Sequence, residues 1–140
     1  MATLQSGAVT SNSGFTPHPN GTVGVRRSSY ELTAALAADD VIEMVNVYAG
    51  ETVLGVFLTT DDLDSHGTPT ITLDVGYGGD VDAIIDGSVV GKAGGSDSSF
   101  NSAVAPVTFA TDDTIDVTVA VGPATGATTG TVTVTVVIAG

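Results

Sequence analysis

The sequence TVTVTVVI at residues 131–138 alternates threonine with valine or isoleucine. Successive side chains of an extended strand point to opposite faces, so Val132, Val134 and Val136 are predicted to face inward and the threonines outward. Residues 114–121 show the same alternation, with Ile115, Val117, Val119 and Val121 on one face. Both segments therefore predict half-buried β-strands.

Upstream segments extend this reading to the rest of the chain. We predict further strands at 41–47, 51–59, 70–75, 81–85, 88–90 and 104–110, with the 51–59 strand apolar on both faces. Gly76 to Asp80 predicts a turn, Asp86-Gly87 a hairpin, and residues 91–101 a Gly/Ser-rich loop. Pro106 favours an edge position for its strand.

Residues 22–36 are predicted to be extended and then to enter a loop. Their expected core positions are Val23, Val25, Tyr30 and Leu32. Residues 31–40 also fit one or two helical turns, because Leu32 and Leu36 are four residues apart among alanines. About eight short strands with regular turn signals predict an all-β fold: an antiparallel sandwich, a jelly roll or a barrel. Of these we prefer a jelly-roll-like sandwich of eight strands in two sheets.

The first 21 residues differ in composition from the rest. They are rich in serine, threonine, glycine, asparagine and proline, and show no periodicity. We predict an extended N-terminal arm at 1–21 and a β-sandwich domain at 22–140. Two interpretations of the arm stay open: a disordered tail, or a segment that orders on a neighbouring subunit.

The charge balance restricts the possible partners. The 140 residues include 16 acidic and 3 basic ones, for a formal net charge of −13. Such a field repels nucleic acid and anionic lipid surfaces, so neither is an expected partner. No run approaches ~18 apolar residues, which argues against a membrane span. Cysteine is absent, which excludes disulfides and thiolate chemistry.

Residues that could support catalysis or bind a cofactor are few. The two histidines, His18 and His66, lie in the predicted arm and in an acidic loop, and no nucleophile motif surrounds a serine. Carboxylates cluster at Asp61, Asp62 and Asp64, at 80–82 and at 112–116, where calcium is one interpretation and solvated surface another. Because no EF-hand spacing is present, we expect no metal. Because no nucleophile motif is present, we expect no enzymatic activity, and we expect no cofactor.

Arg26 and Arg27 form a basic pair in a chain with one other basic residue, Lys92. One interpretation is local salt bridges. The other is an anchor to an acidic surface of a partner, where arginine suits bidentate contact with carboxylates.

Several segments resemble small virion proteins of tailed bacteriophages, in particular head decoration (cement) proteins. They are LAADDVI at 36–42, AGETVL at 49–54, DLD at 62–64, LDVG at 73–76 and TGTVTV at 129–134. The resemblance implies a jelly-roll-like domain, usually trimeric, that sits on the outer surface of the capsid and stabilises junctions between major capsid subunits. It also implies a capsid-contacting arm. The candidate contact residues are therefore Phe15, Pro17 and His18 in the arm, together with the basic pair Arg26 and Arg27.

Two other functions remain open from the sequence. One is another phage component, such as a tail, fibre or head–tail protein, although no sequence repeats typical of a fibre are present. The other is a carbohydrate-binding β module. Such a module typically stacks sugars on aromatic side chains, and this chain has three tyrosines and no tryptophan.

Overall fold

The computed structural model describes residues 1–11, 22–101 and 106–140, and within them two β-sheets pack face to face. The strands are β1 Thr3–Gln5, β2 Val23–Glu31, β3 Val41–Val47, β4 Thr52–Thr60, β5 Thr72–Tyr77, β6 Asp80–Ser88, β7 Gly95–Ser98, β8 Val107–Thr108, β9 Asp113–Val121 and β10 Thr131–Ala139. A short helix, α1, spans Gly7–Ser11. None of the helices in this part of the chain is long and apolar enough to cross a membrane.

The first sheet has the strand order β1-β3-β9-β5-β6, and the second has the order β2-β10-β4-β7, with β8 also paired to β4. Every pairing is antiparallel except that of β1 with β3, which is parallel. The predicted all-β sandwich is thus confirmed, with ten described strands where about eight were expected. Its jelly-roll character stays a prediction.

The two alternating segments form β9 and β10, which lie inside their sheets, and their inward apolar rows are confirmed. In β10, Val132, Val134, Val136 and Ile138 have no exposed surface and face the inward side chains of β9 and β3 within one apolar cluster. Burying a side chain of this size contributes about 1.5–3 kcal/mol, so these rows supply much of the driving force for folding. Ile115, Val117 and Val119 of β9 are equally buried, but Val121 is half exposed at the strand end.

The start of strand β2 faces the opposite way to the prediction, whereas Tyr30 and Leu32 lie against the core as predicted. Val23 and Val25 are 61% and 62% exposed, whereas Arg26 and Ser28 point inward and are buried. The prediction that both valines belong to the core is wrong. The physical reason is that both inward polar groups have partners: Arg26 pairs with Glu51, and the hydroxyl of Ser28 donates to Ser6 Oγ at 2.7 Å.

Two turn and loop predictions are also wrong. Asp86-Gly87 does not turn the chain, because β6 runs on to Ser88, and Gly87 has a φ of 65° where the register with β5 shifts. A positive φ suits glycine in a bulge as well as in a hairpin, so the dipeptide could not separate the two. The predicted loop at 91–101 contains β7, a short edge strand paired with β4.

The prediction that the 51–59 strand is buried on both faces is wrong. In β4, Leu54 is half-buried and Phe57 is 39% exposed, so one face of β4 reaches the surface.

The N-terminal residues contribute to the first sheet. Thr3, Leu4 and Gln5 pair with β3, and the amide of Val41 donates to the carbonyl of Ala2 at 2.8 Å. Residues 12–21, which make up the remainder of the predicted arm, lie outside the described residues. The division into a 1–21 arm and a 22–140 domain stays a prediction.

Candidate assembly surfaces

The two adjacent arginines of β2 lie in opposite environments. Arg26 is 6% exposed, and its guanidinium forms a bidentate pair with Glu51, including Nη1–Oε2 at 2.7 Å. The same Nη1 donates to the carbonyl of Asn46 at 3.0 Å, and the guanidinium carbon is 5.3 Å from the centre of the Tyr48 ring. The structure thus supports the local salt bridge for Arg26, whose side chain is not available to a partner at the surface.

Arg27 points the other way. It is exposed on the outer side of the second sheet, where its register partner is Thr135 of β10. The other three candidate contact residues, Phe15, Pro17 and His18, lie outside the described residues. Of the five candidates, Arg27 is therefore the one that the structure places on a surface.

In the acidic loop that suggested calcium, the carboxylate of Asp64 binds backbone amides of its own loop and of the loop at 122–130, and we call this arrangement the clamp. Asp64 is buried, and its carboxylate accepts backbone N–H bonds from Thr70 at 2.7 Å, Ala124 at 2.9 Å and Thr125 at 3.0 Å. Burial raises the pKa of Asp64, but these bonds and one from Ile71 outweigh it and hold the pKa well below its usual range. The solvated-surface interpretation is wrong for this residue, which ties two loops together.

The neighbouring carboxylates of this loop also bond to the backbone. Asp62 accepts the amide of Asp64 at 3.0 Å, and Asp61 accepts the amide of Thr131 at 2.9 Å. Across the described ranges, no group of three or more acidic or histidine side chains is arranged to hold a metal ion.

The strands of the first sheet are strongly acidic. Their described residues include seven carboxylates and no lysine, arginine or histidine. The seven are Glu43, Asp74, Asp80, Asp82, Asp86, Asp113 and Asp116. Glu43 and Asp116 are register partners on the outer side of this sheet, and we call that side the carboxylate face. This face therefore has a large negative potential.

Like charges of these strands affect one another. Burial raises the pKa of Asp116 to about 6; a hydrogen bond from Thr114 opposes this shift, and the charges of Glu43 and Asp113 add to it. Glu43 is the register partner of Asp116 on β3. Burial likewise raises the pKa of Asp74, with added repulsion from Asp86 and Asp82. A second protein surface that is rich in carboxylates would therefore be repelled from this side of the sandwich.

The strands of the second sheet are electrically balanced. Their four charged residues are Arg26, Arg27, Glu31 and Asp97, and Arg26 is internally paired. The outward positions of β2, β10, β4, β7 and β8 are mostly serine, threonine and valine, and we call this side the hydroxyl face. The two sides of the sandwich thus differ sharply in charge.

Hydroxyl groups on this face bond to one another across the strands. Ser29 Oγ lies 2.8 Å from Thr133 Oγ1, Thr59 Oγ1 lies 3.0 Å from Ser96 Oγ, and Thr52 Oγ1 lies 2.8 Å from Thr108 Oγ1. Polar atoms that already have a partner lose less free energy when water is removed from them. The face is therefore polar in composition but inexpensive to bury.

The same face also carries exposed apolar side chains. Val23 and Val25 lie beside Ala139 and Val137 of β10. Toward the opposite edge, Phe57 and Phe100 contact each other with ring centres 5.6 Å apart and are 39% and 63% exposed. Phe100 covers Gly55, where any Cβ would collide with its ring.

The described residues thus form a two-sheet sandwich whose two outer sides differ in charge. Comparison with models of protein families gives no match, and comparison with curated proteins gives none either. Solved structures do match. A chain in the capsid of Ralstonia phage GP4 has a TM-score of 0.82 and 31% identity, over 99% of this chain and 97% of that one.

A second match is a chain in the capsid asymmetric unit of cyanophage Pam1. It has a TM-score of 0.74 and 28% identity, over 91% of this chain and 94% of that one. Both alignments cover nearly all of each chain, so this chain and its relatives have similar lengths. The chain belongs to the family of these phage capsid chains, and it is a structural protein of a phage virion.

Proposed function

We propose that this chain is a capsid decoration (cement) protein that binds the outside of a phage head and stabilises junctions between major capsid subunits. It acts as a homotrimer. The observation that carries the proposal is the near end-to-end similarity to a chain in the GP4 capsid, which is itself a protein of about this length. A single small sandwich suits an added component that sits on a shell.

The stabilising mechanism is thermodynamic linkage. A shell filled with DNA is under internal pressure, which pulls neighbouring capsid subunits apart. A protein that binds the assembled junction, but not the separated subunits, stabilises the junction by about 4 kcal/mol when its concentration is a thousand times its dissociation constant. The gain repeats at every symmetric site, so a modest affinity per site has a large effect on the shell.

The proposed contacts with the major capsid protein come from the exposed arginine and the N-terminal segment. Arg27 would pair with capsid carboxylates, and Phe15, Pro17 and His18 would bind along the shell. Arginine suits this role because its guanidinium makes two parallel hydrogen bonds to a carboxylate. Arg26 is not part of this proposal, because its pairing with Glu51 buries it.

The experiment uses phage capsids that lack this protein. The purified chain is added, free and bound protein are separated by sedimentation, and the temperature of DNA release is measured with a dye. We expect saturable binding and release at a higher temperature. Arg27→Glu should weaken binding, while Lys92→Glu, which makes the same charge change at another position, should not. Failure of the wild-type chain to bind these capsids would refute the proposal.

A further inference from the structure

The hydroxyl face is well suited to contact with further copies of the same chain. Each copy has a formal charge of −13, so two copies repel at most approaches. The strands of the second sheet are balanced in charge, whereas the strands of the first sheet include seven uncompensated carboxylates. Copies that meet through hydroxyl faces keep their carboxylate faces directed away from each other.

Charge on the hydroxyl face does not oppose contact between copies. Arg27 and Glu31 are both exposed on β2, lie four residues apart on the same side of the strand and have opposite charges. Because Arg27 is assigned to the capsid contact, the contact between copies is placed at the start of β2, around Val23 and Val25.

Apolar area supplies the affinity. Val23, Val25, Phe57 and Phe100 are exposed here, which is half of the large apolar side chains that are exposed among the described residues. Three strands of nine residues, with the four residues of β7 and the two of β8, cover roughly 500 Å² at about 4.8 Å between strands and 3.3 Å per residue. Burying that area on two copies gives roughly 1,000 Å² in total, which is about the smallest area expected of a biological interface.

We propose that the outer side of the second sheet, centred on Val23, Val25 and Val137, is the surface through which copies of this chain assemble with one another. The inference rests on the homotrimer of the proposed function and adds the face that forms it. Because the contact works against the net charge, low salt should weaken it.

The test is the native mass of the full chain, measured by light scattering over a range of concentrations at physiological salt. Val25→Asp places an unpaired carboxylate in the contact and should raise the dissociation constant at least about 100-fold. Val23→Asp is a second variant with the same expectation. Val89→Asp is the matched control, because Val89 is 56% exposed but lies outside the hydroxyl face. Circular dichroism shows whether each variant is folded.

Wild-type and Val89→Asp assemblies with monomeric, folded Val25→Asp or Val23→Asp would support the inference. Assembly of both hydroxyl-face variants as tightly as the wild type would overturn it, as would a wild-type chain that is monomeric at every concentration. A wild-type dimer that Val25→Asp dissociates would support the face and contradict the proposed trimer. Binding to capsids is measured separately, so the cement role can fail while this inference stands.

Discussion

The pair formed by Arg26 and Glu51 yields the sharpest prediction for stability. Glu51→Gln keeps the size of the side chain but removes its charge, which leaves the guanidinium of Arg26 buried at 6% exposure without its carboxylate. Removing one partner of a buried ion pair typically costs 3–5 kcal/mol, so we expect a loss of about that size in the free energy of unfolding. For a chain of this length, the melting temperature should fall by roughly 10–20 °C.

The assay is urea unfolding at pH 7, followed by circular dichroism. The double variant Arg26→Met/Glu51→Leu should recover most of the loss, because well-packed apolar side chains can replace a buried ion pair at little cost. Arg27→Met is the control and should change stability by less than about 0.5 kcal/mol, because Arg27 is exposed. If Glu51→Gln lowers the free energy of unfolding by less than about 1 kcal/mol, the ion pair with Glu51 is not what stabilises the buried charge of Arg26, and the argument is refuted.

Two further predictions concern carboxylates. Asp64→Asn replaces one acceptor oxygen with an NH₂ donor that faces backbone amides. Asp62 accepts one backbone amide bond, so Asp62→Asn is the milder change. Asp64→Asn should therefore lower the melting temperature several times more than Asp62→Asn. The pKa of Asp64 is lowered in the fold, so its contribution to stability is present at neutral pH and is lost as the pH falls below about 4. Equal losses in melting temperature for Asp64→Asn and Asp62→Asn would contradict the clamp. The pKa of Asp116 is raised from 3.8 to about 6, so this group costs stability progressively as the pH rises between these values, and the loss is complete above about pH 6. Asp116→Asn should therefore be more stable than the parent by about 1 kcal/mol at pH 8, after allowing for solvent screening, with no advantage at pH 4. A gain that does not depend on pH in urea unfolding would refute this assignment.

The sequence predicted the elements that depend on local alternation. Strands β9 and β10 were found where expected, because inward valines and isoleucines recur every second residue in both of them. Strand β3 was also found at its predicted position, although a register shift between Glu43 and Val45 breaks its alternation. Period two fixes which residues share a face, and burial of the apolar set then fixes the register. The inward direction of Val132, Val134 and Val136 is confirmed for the same reason.

Features that depend on distant partners could not be predicted. The register of β2 depends on Glu51, which lies 25 residues from Arg26 and whose position beside it exists only in the folded sandwich. Asp64 resembles any acidic loop residue until the loop at 122–130 reaches it from about 60 residues away. The separation of charge between the two faces likewise depends on sheet order, which the sequence does not reveal.

The candidate contact residues were predicted in part. Resemblance indicated a phage virion protein, and the GP4 and Pam1 capsid chains bear this out. The two neighbouring arginines could not be separated from the sequence, because their faces depend on the register of β2. Phe15, Pro17 and His18 stay predictions.

Cryo-electron microscopy of the intact phage particle tests the central claim most directly. We predict two-sheet sandwiches on the outer surface of the head, grouped in threes over junctions between major capsid subunits, with hydroxyl faces turned toward one another. Density for this chain inside the shell, or in the tail and not on the head, would contradict the account.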